Sequence, residues 1–157
     1  IKEATSSEIA FHNAGGLRAD LPEGPITKGN VLDAFPFHNT LVSTSMNGMQ
    51  VKSILEQGLS LERGMIQVSG IKAIYDLNRP INNRLISAEV NGKPLKMEKK
   101  YKVATQSFLA QGGDLYDTFI ESEYLDTKVN LSDEIINYLK IKRKIKEPES
   151  GRLIPLN

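Results

Sequence analysis

The sequence predicts a mixed α/β fold of the α+β type, a mixed β-sheet core with packed helices. Three observations predict it. Short runs rich in β-branched and aromatic residues recur along the whole chain. Apolar residues at helical spacing fall between only some of these runs, so regular βαβ alternation is absent. Gly, Pro and Asn punctuate nearly every run. At 157 residues the chain reads as a single domain over 1–157. A chain of this size buries about 70% of its unfolded surface, enough for a core without staples.

The elements follow in order. Glu8–His12 has strand character and runs into Asn13-Ala14-Gly15-Gly16. Leu21–Pro25 is a loop by its breakers. Thr27 is a good helix N-cap, and Gly29–Ala34 forms a short helix that ends before Pro36. Thr40–Met46 is β-rich and closes with Asn47-Gly48, a turn pair. Met49, Val51, Ile54, Leu55 and Leu59 recur at helical spacing. Met65–Val68 and Ile71–Asp76 are strands hinged at Ser69-Gly70. Arg79–Asn83 is a loop, and Leu85–Val90 is a strand ending at Asn91-Gly92. Lys93-Pro94-Leu95 leads to the strand Tyr101–Thr105. Tyr116–Ile120 is ambiguous. Leu131–Leu139 is a helix with Ser132 as its expected cap, and Gly151–Pro155 forms a last edge strand.

Composition narrows the function classes. Lys+Arg is 20 and Asp+Glu 19, a balance that argues against binding nucleic acid by bulk electrostatics. The basic run Lys140–Lys146 reads as a solvated helix end, where cations suit the dipole. With no cysteine, disulfides and thiolate metal sites are excluded. No apolar run approaches the roughly 20 residues of a membrane span. The chain opens at Ile1 rather than Met, which reads as a mature fragment or an excised domain.

Three segments carry candidate chemistry. Ser107–Tyr116 turns through Gly112-Gly113 and presents Phe108 and Asp114 within ten residues. A Phe before such a turn and a carboxylate after it suit a flat ring and a pair of hydroxyls; an Asx turn is the plainer role for Asp114. Asn13–Arg18 sets two glycines beside a guanidinium fork, suited to an anionic or hydroxylated ligand; its plainer form is a tight turn with a solvated Arg. Phe35-Pro36-Phe37-His38-Asn39 brackets a proline with aromatics; the plainer form buries both in the core, and the functional form buries one and leaves the other free to stack on a planar ring. Asn39 either bonds a base edge or caps a turn. His12 and His38 are the only histidines, too few and too isolated for a two-metal centre. There is no H-E-x-x-H, G-x-S-x-G or P-loop motif and no nucleophile–base pair. The residues favour a binding module over a self-sufficient enzyme.

Together the segments are more specific than any one alone. The turn Asn13-Ala14-Gly15-Gly16-Leu17-Arg18, then Pro36-Phe37-His38-Asn39, then Phe108-Leu109-Ala110-Gln111-Gly112-Gly113-Asp114 resembles the C-terminal domain of the 5′-nucleotidase and UDP-sugar hydrolase family. Further matches are Pro25-Ile26-Thr27, the Thr40–Gly48 stretch, Gln67–Ile71 with Tyr75-Asp76, and Val90–Leu95. The resemblance implies that family's C-terminal domain fold. It also implies a nucleoside- or nucleotide-binding role in a secreted, periplasmic or cell-surface enzyme that hydrolyses nucleoside phosphates. An N-terminal metallophosphatase domain, absent from this chain, would hold two divalent metal ions and the catalytic His–Asp pair. This chain would carry no cofactor, and alone would be inactive. Its partners would be the small-molecule nucleotide and that N-terminal domain.

By the same resemblance, Phe37 and Phe108 are the plates that sandwich the base, and Asn39 contacts the base edge. Asp114 takes the ribose hydroxyls, Arg18 lies near ribose and phosphate, and Asn13 adds a contact close to the base. Three departures stand out. Leu115 replaces the family's usual Gly after the Asp, and is strained if that position needs positive φ. His38 replaces the usual Gly between Phe37 and Asn39. Further phosphate-binding arginines of the family precede Asn13 on a segment outside this chain. The rival readings are a UDP-sugar, 2′,3′-cyclic-nucleotide or thiosulfate-linked relative of the same plan, and a nucleoside-binding or adhesion module with no enzyme attached.

Overall fold

The computed structural model describes residues 1–148 and 150–156. The strands are β1 (Ile9–His12), β2 (Thr40–Asn47), β3 (Gln67–Ser69), β4 (Ile71–Tyr75), β5 (Leu85–Val90), β6 (Lys93–Pro94), β7 (Lys100–Gln106), β8 (Tyr124–Asn130) and β9 (Leu153–Pro155). The helices are α1 (Lys28–Ala34), α2 (Gly48–Leu59), α3 (Ser107–Ala110) and α4 (Leu131–Lys142). Short 3-10 turns cover Ala14–Gly16, Gly113–Leu115 and Asp117–Phe119.

Two mixed sheets result. One runs β3-β1-β7-β2-β8, the other β6-β5-β4-β9. In the first, β1 lies parallel to β7 and antiparallel to β3, and β2 is antiparallel to both β7 and β8. The chain passes from the first sheet to the second at Ser69-Gly70, the hinge expected from sequence. Gly70 has φ +79° there, and a Cβ on it would collide with the Glu8 carbonyl oxygen, so glycine is needed on both counts.

The sheets and α2 share one core. Ile9, Phe11, Met46, Val103, Val51, Ile54, Leu55, Ala73 and Val90 all belong to it. Helix α2 packs closely because a Cβ on Gly58 would stand 2.5 Å from Ile66 Cγ2. Its one buried acid, Glu56, accepts the backbone N–H of Arg84 and of Leu85, each at 3.0 Å. Arg84 Nη1 in turn donates to the Leu59 carbonyl at 2.5 Å, closing the C-terminal end of α2. Two polar side chains thus anchor α2 to the start of β5.

Two local expectations change, and two stretches that the sequence leaves open acquire a structure. Asn47-Gly48 is not a hairpin turn. Asn47 caps α2, its side chain accepting from Gln50 N while the Gln50 side chain accepts from Asn47 N. The glycine serves close packing, since a Cβ on Gly48 would strike the Lys96 carbonyl. The cap of α4 is Asn130, whose side chain accepts from Ser132 N at 2.9 Å. Ser132 Oγ instead donates to the Phe35 carbonyl at 2.7 Å. The ambiguous Tyr116–Ile120 is a 3-10 turn that buries Tyr116 and Phe119. Strand β8 carries no clear strand signal, because its exposed Leu125 and Val129 and its charged residues blur the alternation. It is nonetheless the edge of the first sheet.

Candidate functional site

The ends of β1 and β7 lie side by side as parallel strands, so the turns that follow them emerge at the same sheet end. After β1 come Asn13 and the 3-10 turn; after β7 come α3 and the glycine turn. Asn13 is buried, and its Nδ2 donates to Asp114 Oδ2 at 2.5 Å. Its Oδ1 accepts from Gln106 Nε2 at 3.1 Å. Gln106 is fully buried at the last position of β7, and its Oε1 accepts the Phe108 backbone N–H at 2.7 Å. One chain of hydrogen bonds therefore runs from the start of α3 through Gln106 and Asn13 to the Asp114 carboxylate. Buried amides satisfied in this way hold a single geometry.

The glycines make room for this arrangement. A Cβ on Gly16 would strike the His12 ring and come within 2.7 Å of Asn13 Oδ1. A Cβ on Gly113 would lie 2.5 Å from the Phe108 ring. Phe108 thus rests over the bare backbone of Gly113 and keeps 41% of its surface exposed. Asp114 and Leu115 both take positive φ, 54° and 67°, immediately after Gly112 at 83° and Gly113. Asp tolerates that region and branched Leu does not, so the strain conditionally expected at Leu115 is present in the backbone.

Neither aromatic around Pro36 enters the core, contrary to the expectation for one of them, because α1 ends at Ala34 and the chain runs along the surface from there. Phe35 is half-buried and meets His12 edge-on at 6.2 Å. Phe37 is 46% exposed. Among the described residues neither Phe37 nor Phe108 has an aromatic ring against it. Asn39 is half-buried, with its carbonyl taken by Leu131 N at 2.8 Å. Next to it, Thr40 N donates to Ser107 Oγ at 3.1 Å, tying the Phe37 segment to α3. Arg18 is exposed; its backbone N–H donates to the Ala34 carbonyl at 3.0 Å, and its Nη1 reaches the Gly15 carbonyl at 3.4 Å. Backbone and side-chain hydrogen bonds therefore connect all three segments. Asn13 and Asp114 touch directly, whereas Arg18, Phe37 and Asn39 make no side-chain contact with Asp114 among the hydrogen bonds described.

The electrostatics follow from burial. Burial lowers the His12 pKa, and the hydrogen bond from its Nδ1 to the Asn13 carbonyl opposes this. The ring is accordingly neutral at pH 7. Burial and then the Asp114 charge raise the Tyr116 hydroxyl above the ordinary tyrosine range, so it stays protonated. Tyr116, Asp114 and Leu115 line a small cavity with Gln57, Arg63 and Asn82. No group of three or more His, Cys, Asp or Glu that could hold a metal is present among the described residues. The donor set here is amide, carboxylate and aromatic, which suits an organic ligand with a flat ring and hydroxyls.

Sequence reasoning missed Gln106. A Gln at the end of a β-rich run carries no signal of its own; only the parallel pairing of β1 with β7 puts it beside Asn13.

Residues 1–121 match the family described as 5′-nucleotidase, C-terminal domain. The trifunctional nucleotide phosphoesterase protein YfkN of Bacillus subtilis is 36% identical over 163 residues, covering 97% of this chain and 11% of that protein. A 5′-nucleotidase of Mus musculus is 30% identical over 148 residues, covering 82% of this chain and 26% of that one. The crystal structure of a 5′-nucleotidase precursor from Thermus thermophilus has a TM-score of 0.93 at 34% identity, covering 99% of this chain and 33% of that chain. This chain spans about a tenth to a third of these three relatives. With the family match over its first 121 residues, the chain belongs to the 5′-nucleotidase C-terminal domain family.

Proposed function

We propose that this chain is the nucleoside-binding part of a metal-dependent nucleotide hydrolase located in the periplasm, at the cell surface or outside the cell. The observation that carries the reading is the hydrogen-bonded set Gln106–Asn13–Asp114, which sets a carboxylate in the loop cluster that also carries two exposed phenylalanines. In this reading Phe37 and Phe108 stack on the base, a contact that tolerates any base and contributes about 1–3 kcal/mol. Asp114 accepts from the two ribose hydroxyls, and Asn13 holds that carboxylate in place and adds a contact close to the base. Arg18, exposed on the same turn as Asn13, faces the phosphate side, and Asn39 meets the base edge. All six act on the substrate by binding and orientation.

The hydrolytic step belongs to a metallophosphatase domain elsewhere in the full-length protein. Two metal ions held there would activate water and stabilise the charge that develops on phosphate. The residues of this chain supply position, which turns an encounter into a near-unimolecular step.

Calorimetric titration of this chain with adenosine, AMP, uridine and ribose tests the reading. Saturable binding of both nucleosides and of AMP, with none of ribose, is the expected result. Tighter AMP than adenosine assigns Arg18 to the phosphate. Ribose binding as well as adenosine would overturn the role of the two phenylalanines.

A further inference from the structure

The basic run Lys140–Lys146 spans the last turn of α4 and the residues that follow it. Cations at a helix C-terminus are ordinary, and Lys140 and Lys142 in the last turn of α4 fit that account. Arg143, Lys144 and Lys146 do not, because α4 stops at Lys142 and Arg143 turns out of it with φ 60°. All five cations are exposed, and no acid stands among residues 140–146. Fifteen Lys and Arg then serve the rest of the chain against nineteen Asp and Glu, so the positive charge of the molecule is concentrated here.

The same stretch exposes large apolar side chains. Ile141 is 79% exposed, the highest of any large hydrophobic residue among those described, and Ile145 and Tyr138 are 43% and 37% exposed. Among the described residues one acid pairs with the run. Glu3 reaches Lys142 at 3.8 Å in an exposed pair, which is weak by exposure. Glu147 follows the run and is itself exposed.

Cations alone suit any polyanion. Cations flanking bare isoleucines suit an anionic lipid surface, where the charges meet headgroups and the apolar side chains enter the interface. We infer that the C-terminal end of α4 and residues 143–146 form a peripheral docking site for an anionic membrane. Contact of this kind rests on surface charges and a few apolar side chains, which makes it peripheral and reversible.

Co-sedimentation of the chain with vesicles tests this, comparing pure phosphatidylcholine with an equimolar mixture of phosphatidylcholine and phosphatidylglycerol. Sedimentation with the anionic vesicles only, weakening as salt rises, is expected. Each cation contributes about fivefold, so the double variant Lys140→Gln/Lys144→Gln should bind about 25-fold more weakly. Ile141→Ser should lower anionic-vesicle binding several-fold, and that loss should persist at high salt. Both variants change exposed side chains, and unaltered melting temperatures confirm intact folds. Absence of binding to the anionic vesicles overturns the inference. So does binding that Ile141→Ser leaves unchanged while a single-stranded oligonucleotide binds equally well, which would assign the run to polyanions in general.

Discussion

Asn13 Nδ2 donates to Asp114 Oδ2 across 2.5 Å, joining two turns that are 101 residues apart in sequence. Asn13 is itself held from behind by Gln106. The position of the carboxylate is therefore set by two buried amides as well as by its own loop.

Gln106→Leu keeps the volume and removes both of its hydrogen bonds. Asn13 Oδ1 and the Phe108 N–H then lose their partners, at a cost of about 1–3 kcal/mol. Thermal unfolding should show a clear fall in melting temperature, and nucleoside affinity should fall with it as Asp114 loosens. An unchanged melting temperature would show that water replaces Gln106 at no cost.

Phe37→Ala should weaken nucleoside binding about tenfold or more, the magnitude of one stacked base. Phe37 is 46% exposed, so stability should barely change. Phe108→Ala should weaken binding similarly but also cost some stability, because its ring covers Gly113. Calorimetry and melting curves on the same samples separate the two effects. Full affinity in both variants would sink the base sandwich.

Leu115→Gly should stabilise the chain by about 0.5–1 kcal/mol. The substitution relieves a branched residue at φ 67°, worth about 1–2 kcal/mol, and loses part of that to the greater freedom of glycine when unfolded. A higher midpoint in denaturant with an unchanged slope is the result expected. A lower midpoint would mean that the half-exposed Leu115 side chain packs more favourably than its backbone is strained.

His12 should make stability depend on pH. Its pKa is lowered in the fold by burial, so the unfolded chain takes up the proton first as pH falls. Stability is then complete above the unfolded value of about 6.5, and is lost progressively as pH drops from there toward the folded value. As pH falls below about 6.5, melting temperature should drop more steeply in the wild type than in His12→Gln. Parallel profiles for the two proteins would remove His12 from the acid response.

Much of the candidate site is legible in the sequence alone. The three segments announce themselves through glycine pairs, aromatics and a carboxylate whose types and order resemble a known family. Phe37 and Phe108 are exposed and Phe35 is only half-buried, so the core place expected for one aromatic around Pro36 is not taken. Asn47-Gly48 misleads, because Asn suits a turn and a helix cap equally well, and only the Gln50 side chain and the close Lys96 backbone decide between them. Ser132 misleads for a related reason. Its hydroxyl has the chemistry of a cap, but the Phe35 carbonyl lies within reach and takes it.

Local chemistry thus determined the mixed α/β class, the hinge at Gly70, most of the turns and the residue types offered to a ligand. Those depend on backbone freedom and short-range patterning, which act over a few residues. Tertiary structure alone decided that Gln106 backs Asn13, that Asn13 orients Asp114, and that β8 closes the sheet edge. These relations depend on which strands pair. Pairing is settled by burial of one core built from residues far apart in the chain, a quantity that no short stretch of sequence carries.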